Sequence, residues 1–205
     1  PSMALYELIV FVHVAAAVAL LSSSVVASPG IRAAVRRAST TQEMRAYLAL
    51  GRPLLVVEPV SAVVVLVSGI YLTSVANFWT QGWVQVAAGF WLVNGVVAGT
   101  LVKPAIQVVD AEAATAVDGP VGQQLDALRR SSRWVFGGDL LMANDAAMLY
   151  VMTMKPALMP SLLVVAVAIL FVAAVRAARP LHNVKNFAAR HELFRSRASR
   201  SARQH

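Results

Sequence analysis

The sequence predicts an all-α, polytopic integral membrane protein: a helical bundle with five transmembrane helices, an external N-terminus and a cytoplasmic C-terminus. The chain of 205 residues is 58% hydrophobic and 14% charged, whereas a soluble domain carries about 25% charge. Five apolar segments each approach the roughly 20 residues that a hydrocarbon core of about 30 Å requires. These segments are Ala4 to Ala27, Pro53 to Val75, Trp83 to Val102, Trp134 to Met154 and Ala157 to Val175.

The distribution of basic residues predicts the topology. All but one of the eighteen Lys and Arg residues lie in the first loop, the third loop or the C-terminal tail, and Lys155 is the exception. The positive-inside rule assigns that side to the cytoplasm. This bias explains the formal charge of +8, so we expect the lipid bilayer as partner and no nucleic acid. We expect a multi-pass protein of the cell membrane, with the bacterial inner membrane as its location.

The loops have an organisation of their own within a transmembrane domain of residues 1–178. In the first loop, Thr40 and Glu43 have capping-box spacing and predict a short helix. In the third loop, the turn sequence Asp118-Gly119-Pro120 divides two segments of helical composition, which predicts a cytoplasmic helical hairpin over about residues 103–133. Residues 179–205 form a basic tail, which we expect to bind anionic lipid.

Two composition signals concern packing and redox chemistry. The Gly95-x-x-x-Gly99 motif permits close contact between helices, which predicts a compact bundle and favours a homodimer or a partner subunit. The chain contains no cysteine. Disulfides, thiolate metal sites and iron–sulfur clusters are therefore excluded.

Polar residues inside a bilayer are costly and mark function by default. From a rise of about 1.5 Å per residue, His13 lies at a depth near Asp145 and Met148. Imidazole and thioether groups suit haem iron or Cu(I). The residues are therefore compatible with a cofactor site of His13, Asp145 and Met148 for haem, or of His13, Met148 and Met152 for copper. The alternative is that His13 is a hydrogen-bonded core residue and that the methionines fill gaps in the core.

A second polar layer is predicted closer to the cytoplasm. Glu58 and Asp139 are expected at one depth, with Arg52 and Arg133 near enough to pair with them. Carboxylates in a low dielectric repel each other unless they are protonated or paired. The group is either a structural clamp or a proton relay that uses Glu58.

Three segments carry a family resemblance. The first apolar segment contains IVFVHVAAAVALL around His13, the second reads GRPLLVVEPVSAVVVLVSGIYL, and the fourth ends in MTMKP. In layout they resemble a family of predicted integral membrane proteins of unknown function. More distantly they are similar to bacterial membrane protoporphyrinogen oxidase and to the membrane domain of the copper-resistance D proteins.

The resemblance implies a helical bundle in which His13 matches the essential helix-one histidine of the oxidase group, which binds haem b. Arg133, Trp134 and Asp139 occupy places comparable to an Arg, an aromatic and an acidic residue of that group. The third segment lacks that group's basic residue, and Gly138-Asp139 replaces its Asn-Glu pair. The resemblance thus implies haem or metal binding in a redox or metal-handling role, such as that of a membrane oxidoreductase, while these two departures argue against protoporphyrinogen oxidase activity. The other hypotheses are a structural or accessory subunit and a small proton-coupled transporter.

Overall fold

The computed structural model describes residues 3–175 and residue 177. The predictions for the basic tail, residues 179–205, lie outside these residues. The described part is helical, as predicted. Its helices are α1 Met3–Leu21, α2 Ser28–Arg37, α3 Thr41–Gly51, α4 Leu54–Val75, α5 Gly82–Val97, α6 Lys103–Thr115, α7 Gln123–Arg129, α8 Ser132–Met154 and α9 Leu158–Val175.

Several helices join into longer continuous segments. Over the described residues, four segments are long and apolar enough to cross a membrane: Met3–Arg37, Thr41–Val75, Gly82–Thr115 and Leu158–Val175. The remaining predicted span falls in α8, whose 23 residues include Asp139, Asn144 and Asp145. These polar residues lower the hydropathy of α8, and Asn144 and Asp145 are turned inward and buried.

Two π-helical segments interrupt the long helices. The segment π1, Ser22–Ala27, joins α1 to α2, and the segment π2, Ala98–Val102, joins α5 to α6. Such segments insert an extra residue into a helical turn and often occur at functional sites. Helix α8 contacts both. A Cβ on Gly137 would lie 2.7 Å from the Val102 side chain, so a glycine is needed where α8 meets π2.

The long helices pack as two pairs. Helix α1 lies along α4, and α5 lies along α8. Phe90 and Val151 form the centre of an apolar cluster between α5 and α8, against which Met148 and Val164 pack. Helix α9 thereby joins the second pair. The outward surfaces of these helices are rich in exposed Val and Leu, as lipid contact requires.

The loops contain the capping box of α3 and a turn between α6 and α7. The capping box of α3 is confirmed, since the Thr40 hydroxyl accepts from the Glu43 N–H and the Glu43 carboxylate accepts from the Thr40 N–H. Helices α6 and α7 contact each other, and the turn between them includes Gly119 at φ 137°. The Thr41 N–H donates to the Gly119 carbonyl at 2.9 Å. Helix α3 is thereby fixed to this turn.

Two arginines join α2, α3, α6 and α7, which we call the helical module. Arg129 is 7% exposed and donates to the carbonyls of Val35 and Ala38 at 3.0 and 2.7 Å. It therefore caps the C-terminus of α2. Arg45 donates to the carbonyls of Ala113 and Ala116 and thus caps α6. An apolar core lies between these elements and includes Val35, Met44, Val109, Leu125 and Trp134.

Candidate functional site

Four polar side chains from three helices meet where the bundle joins the helical module. We call Ser28, Arg32, Glu58 and Asp139 the inner polar cluster. The Ser28 hydroxyl donates to Glu58 Oε1 at 2.8 Å. Arg32 Nη1 lies 4.0 Å from Asp139 Oδ1, and both side chains are less than a fifth exposed. Arg32 also interacts electrostatically with Glu58.

Local sequence explains how α2 supplies this cluster. Ser24, Ser28 and Arg32 are spaced four residues apart, so they lie along one face of the continuous π1–α2 helix. Arg32 reaches Asp139 only because residue 138 is glycine, since a Cβ there would fall 1.4 Å from Arg32 Nη1. Gly138 thus provides the space for the Arg32 side chain, and Asp139 provides the opposite charge.

A second group of polar residues lies between α5 and α8. Asp145 is 4% exposed and accepts from Asn94 Nδ2 at 2.5 Å. Asn144 Nδ2 donates to Asn94 Oδ1 at 2.5 Å and to the Phe90 carbonyl at 3.1 Å. The Ser24 side chain also interacts with Asp145, and Asp145 lies within electrostatic range of Glu58. Ser24 therefore connects this group to the inner polar cluster.

A cavity of about 90 Å³ lies beside the inner polar cluster. Its polar lining consists of Ser24, Ser28, Arg32, Arg52, Glu58 and Asp110. Arg52 Nη2 lies 3.6 Å from Asp110 Oδ1, and these side chains are 64% and 40% exposed. The cavity therefore extends from an exposed ion pair to the half-buried Glu58.

The structure combines the predicted inner residues in a different way. Glu58 and Asp139 both belong to the inner polar cluster, but Arg52 pairs with Asp110 and Arg133 is exposed. Asp139 lies six positions after Arg133, which rotates the two side chains about 240° apart around α8. Arg32 takes their place because the first helical segment continues to Arg37. The spacing of Ser24, Ser28 and Arg32 was the signal that sequence reasoning missed.

His13 has a partner on α4. Its Nδ1 lies 2.9 Å from Ser68 Oγ, and the Ser68 hydroxyl donates to the Val64 carbonyl at 2.5 Å. Since that hydroxyl has a single proton, we assign Nδ1–H of His13 as the donor to Ser68. The lone pair of the neutral ring then lies on Nε2. A Cβ on Gly69 would lie 3.2 Å from His13 Cε1, so Gly69 gives the ring its space.

The structure does not bring His13 to Asp145 or Met148. Asp145 interacts with Ser24, which is eleven residues from His13 along the same helix, or about 16 Å. Met148 packs in the apolar cluster of Phe90 and Val151, and Met152 is half-buried. Within residues 3–175, no group of three or more His, Cys, Asp or Glu side chains could hold a metal ion. A haem or metal role for His13 stays a prediction.

Comparisons with protein-family models, with curated proteins and with solved structures find no match for this chain. The family resemblance drawn from the sequence patterns therefore stays a prediction as well.

Proposed function

We propose that this chain is a five-span membrane protein of the cell membrane that acts as a small proton-coupled transporter, with Glu58 as its coupling carboxylate. The cavity that extends from the exposed Arg52–Asp110 pair to Glu58 carries the proposal. The four apolar segments and α8, whose polar residues face the bundle, account for the spans. The positive-inside rule then puts the cavity on the cytoplasmic side.

The chemistry of Glu58 supports a coupling role. An ionised carboxylate in a low dielectric is costly unless a cation or hydrogen bonds compensate it. The hydrogen bond to Glu58 comes from the neutral hydroxyl of Ser28, while Arg32 lies near Asp139. Glu58 is therefore a carboxylate in the cavity wall that a proton or a cationic cargo would stabilise, which is the property that coupling needs.

Polar side chains form a connected group only in the cytoplasmic half of the bundle. Between His13 and Ser23, residues 14–22 contain Val, Ala and Leu with a single Ser, and between Ser61 and Ser68 the residues of α4 are Ala, Val and Leu. The His13–Ser68 pair is thus separated from Glu58 by apolar helix surface. This arrangement is the one expected of a carrier that is open to the cytoplasm and closed on the outer side.

Proteoliposomes of the purified protein test the proposal. A pH gradient is imposed, and its loss is followed with a trapped pH-sensitive dye after adding tetraethylammonium, sodium, benzenesulfonate or glycine betaine. We expect at least one of these solutes to discharge the gradient with the unaltered protein and with Glu112→Gln, a control outside the cavity lining. Glu58→Gln should abolish the response. A gradient that no solute class discharges would refute proton-coupled transport.

One observation favours a second candidate, haem or metal binding through His13. Its Nδ1–H donates to Ser68, and a ligating histidine typically donates its other ring N–H in this way and coordinates through the remaining nitrogen. A second protomer or another subunit would have to supply further ligands. An absorption spectrum and a metal analysis of protein purified from its native membrane test this candidate. A spectrum without a Soret band, together with sub-stoichiometric metal, would eliminate it.

A further inference from the structure

We infer that the cargo is a small lipophilic organic monocation, which binds in the cavity against the Glu58 carboxylate in exchange for a proton. The inference depends on the proposed transport function and adds the class of substrate. It rests on three properties of the cavity: the balance of its charges, the chemistry of its walls and its volume.

Apart from Asp145, which does not line the cavity and accepts a hydrogen bond from Asn94, the charges around the cavity balance except at Glu58. Two ion pairs flank the cavity: Arg32 with Asp139 at 4.0 Å, and Arg52 with Asp110 at 3.6 Å. Glu58 is thus one carboxylate in excess. The charged groups that surround it are Arg32 on α2, Asp139 and Asp145 on α8, Arg52 between α3 and α4, and Asp110 on α6.

This balance defines the charge of the cargo. With Glu58 ionised, the two ion pairs and Glu58 together carry a net charge of −1. With Glu58 protonated, their net charge is zero. A proton and a monocation therefore neutralise the same carboxylate and compete for it, which makes one-for-one exchange electroneutral. An anion would instead have to break one of the two ion pairs.

The walls favour an organic cation over an inorganic one. Apart from its polar groups, the cavity is lined by aliphatic side chains and by Trp134, the aliphatic members being Ile31, Leu48, Leu54, Leu55, Val102, Ile106 and Leu141. Such walls offer no oxygen ligands to replace the water around a sodium ion. They do bury alkyl or aromatic groups favourably, and an indole ring attracts cations.

The volume limits the size of the cargo. A cavity of about 90 Å³ offers roughly six to nine water-sized positions. Tetraethylammonium, with its single charge and its apolar shell, is of suitable size and is the probe we choose. It reaches the cavity past Arg52, whose side chain is 64% exposed.

Calorimetry on the purified protein tests the inference. Tetraethylammonium should bind with release of about one proton, which is measured by repeating the titration in buffers of different ionisation enthalpy. Glu58→Gln should abolish both binding and proton release, whereas Glu58→Asp should retain both. Glu112→Gln should bind like the unaltered protein. Trp134→Leu should bind about tenfold more weakly than Trp134→Phe, which keeps an aromatic ring.

Arg52→Ala separates a cationic cargo from an anionic one. Because this change removes a positive charge at the exposed mouth, tetraethylammonium should bind as well or several-fold more tightly. A site for an anion such as benzenesulfonate would lose affinity instead. If tetraethylammonium fails to bind, or binds independently of Glu58, while sodium, benzenesulfonate or betaine discharges the pH gradient through Glu58, the cargo assignment is overturned and the transport function stands. If no solute discharges the gradient, the transport function itself fails.

Discussion

The guanidinium of Arg32 fills the space that a β-carbon on Gly138 would need, since such a carbon would lie 1.4 Å from Nη1. The same nitrogen lies 4.0 Å from the carboxylate of Asp139, the next residue along α8. Because residue 138 has no side chain, Arg32 of α2 can place its positive charge beside Asp139. This contact joins the first helical segment to α8 inside the bundle.

Gly138→Ala should therefore destabilise the protein. The methyl group forces the Arg32 guanidinium to move relative to Asp139, at a cost of about 1–3 kcal/mol. Thermal unfolding in detergent measures the loss. Gly95→Ala is the matched control, because nothing lies within 4 Å of the added carbon, and a helical Gly→Ala change there should stabilise by about 0.5–1 kcal/mol. Equal effects of the two changes would contradict the described role of Gly138.

The fold was predictable where a single physical rule dominates. The bilayer requires long apolar helices, and the Thr40–Glu43 spacing satisfies the first amide groups of α3, so both features are visible in the sequence. The partners of His13 and Asp139 were not predictable. Depth along a helix can be counted from the sequence only if the point where the helix enters the membrane is known. The helix that begins at Met3 continues to Arg37, which puts Arg32 within reach of Asp139 and Ser24 within reach of Asp145.

The His13–Ser68 hydrogen bond should contribute to stability. Ser68→Ala removes the acceptor of the His13 Nδ1–H, and hydrogen bonds between membrane helices are worth about 0.5–1.5 kcal/mol. His13→Ala should lower the melting temperature as well. Ser74→Ala is the control, because the Ser74 hydroxyl donates to the Ile70 carbonyl within its own helix and is exposed. It should leave the melting temperature nearly unchanged.

The same variants test the ligand hypothesis for His13. If His13 only joins α1 to α4, then His13→Ala lowers stability and leaves the absorption spectrum and the metal content unaltered. If His13 is a haem or metal ligand, His13→Ala removes the chromophore or metal, while Ser68→Ala, which keeps the imidazole, retains it at lower affinity.

Arg129 and Arg130 are adjacent and both bind Asp126, yet they should differ in their contribution to stability. Arg129→Ala leaves the buried carbonyls of Val35 and Ala38 without this donor, at a cost of about 2–4 kcal/mol. Arg130 is 56% exposed, so Arg130→Ala should cost less than about 1 kcal/mol. Thermal unfolding of the two variants measures the difference. Similar losses would show that burial of Arg129 is not what makes it stabilising.

Asp126 should give the helical module a dependence on acid pH. Hydrogen bonds from Arg130 and Arg129 hold the pKa of Asp126 below its ordinary value, against an opposing effect of burial. The unfolded chain then binds this proton more readily than the folded chain does. The stabilisation is complete above the unfolded pKa of about 3.9 and is lost as pH falls through the lower, folded pKa. Melting curves from pH 6 downwards should show this loss, Arg130→Ala should reduce it, and Asp126→Asn should remove its contribution.

The proposed topology predicts opposite labelling at the two ends of the bundle. The chain has no cysteine, so each introduced thiol is the only one present. Cysteine placed at Ser74 or Thr80, near the turn between α4 and α5, should react with a membrane-impermeant thiol reagent in intact cells. Cysteine placed at Val117, which is 87% exposed in the turn between α6 and α7, should react only after the cells are opened. The reverse pattern would show that the topology is inverted and that the mouth of the cavity faces outside. Labelling of both regions in intact cells would show that α5 and π2 do not cross the membrane.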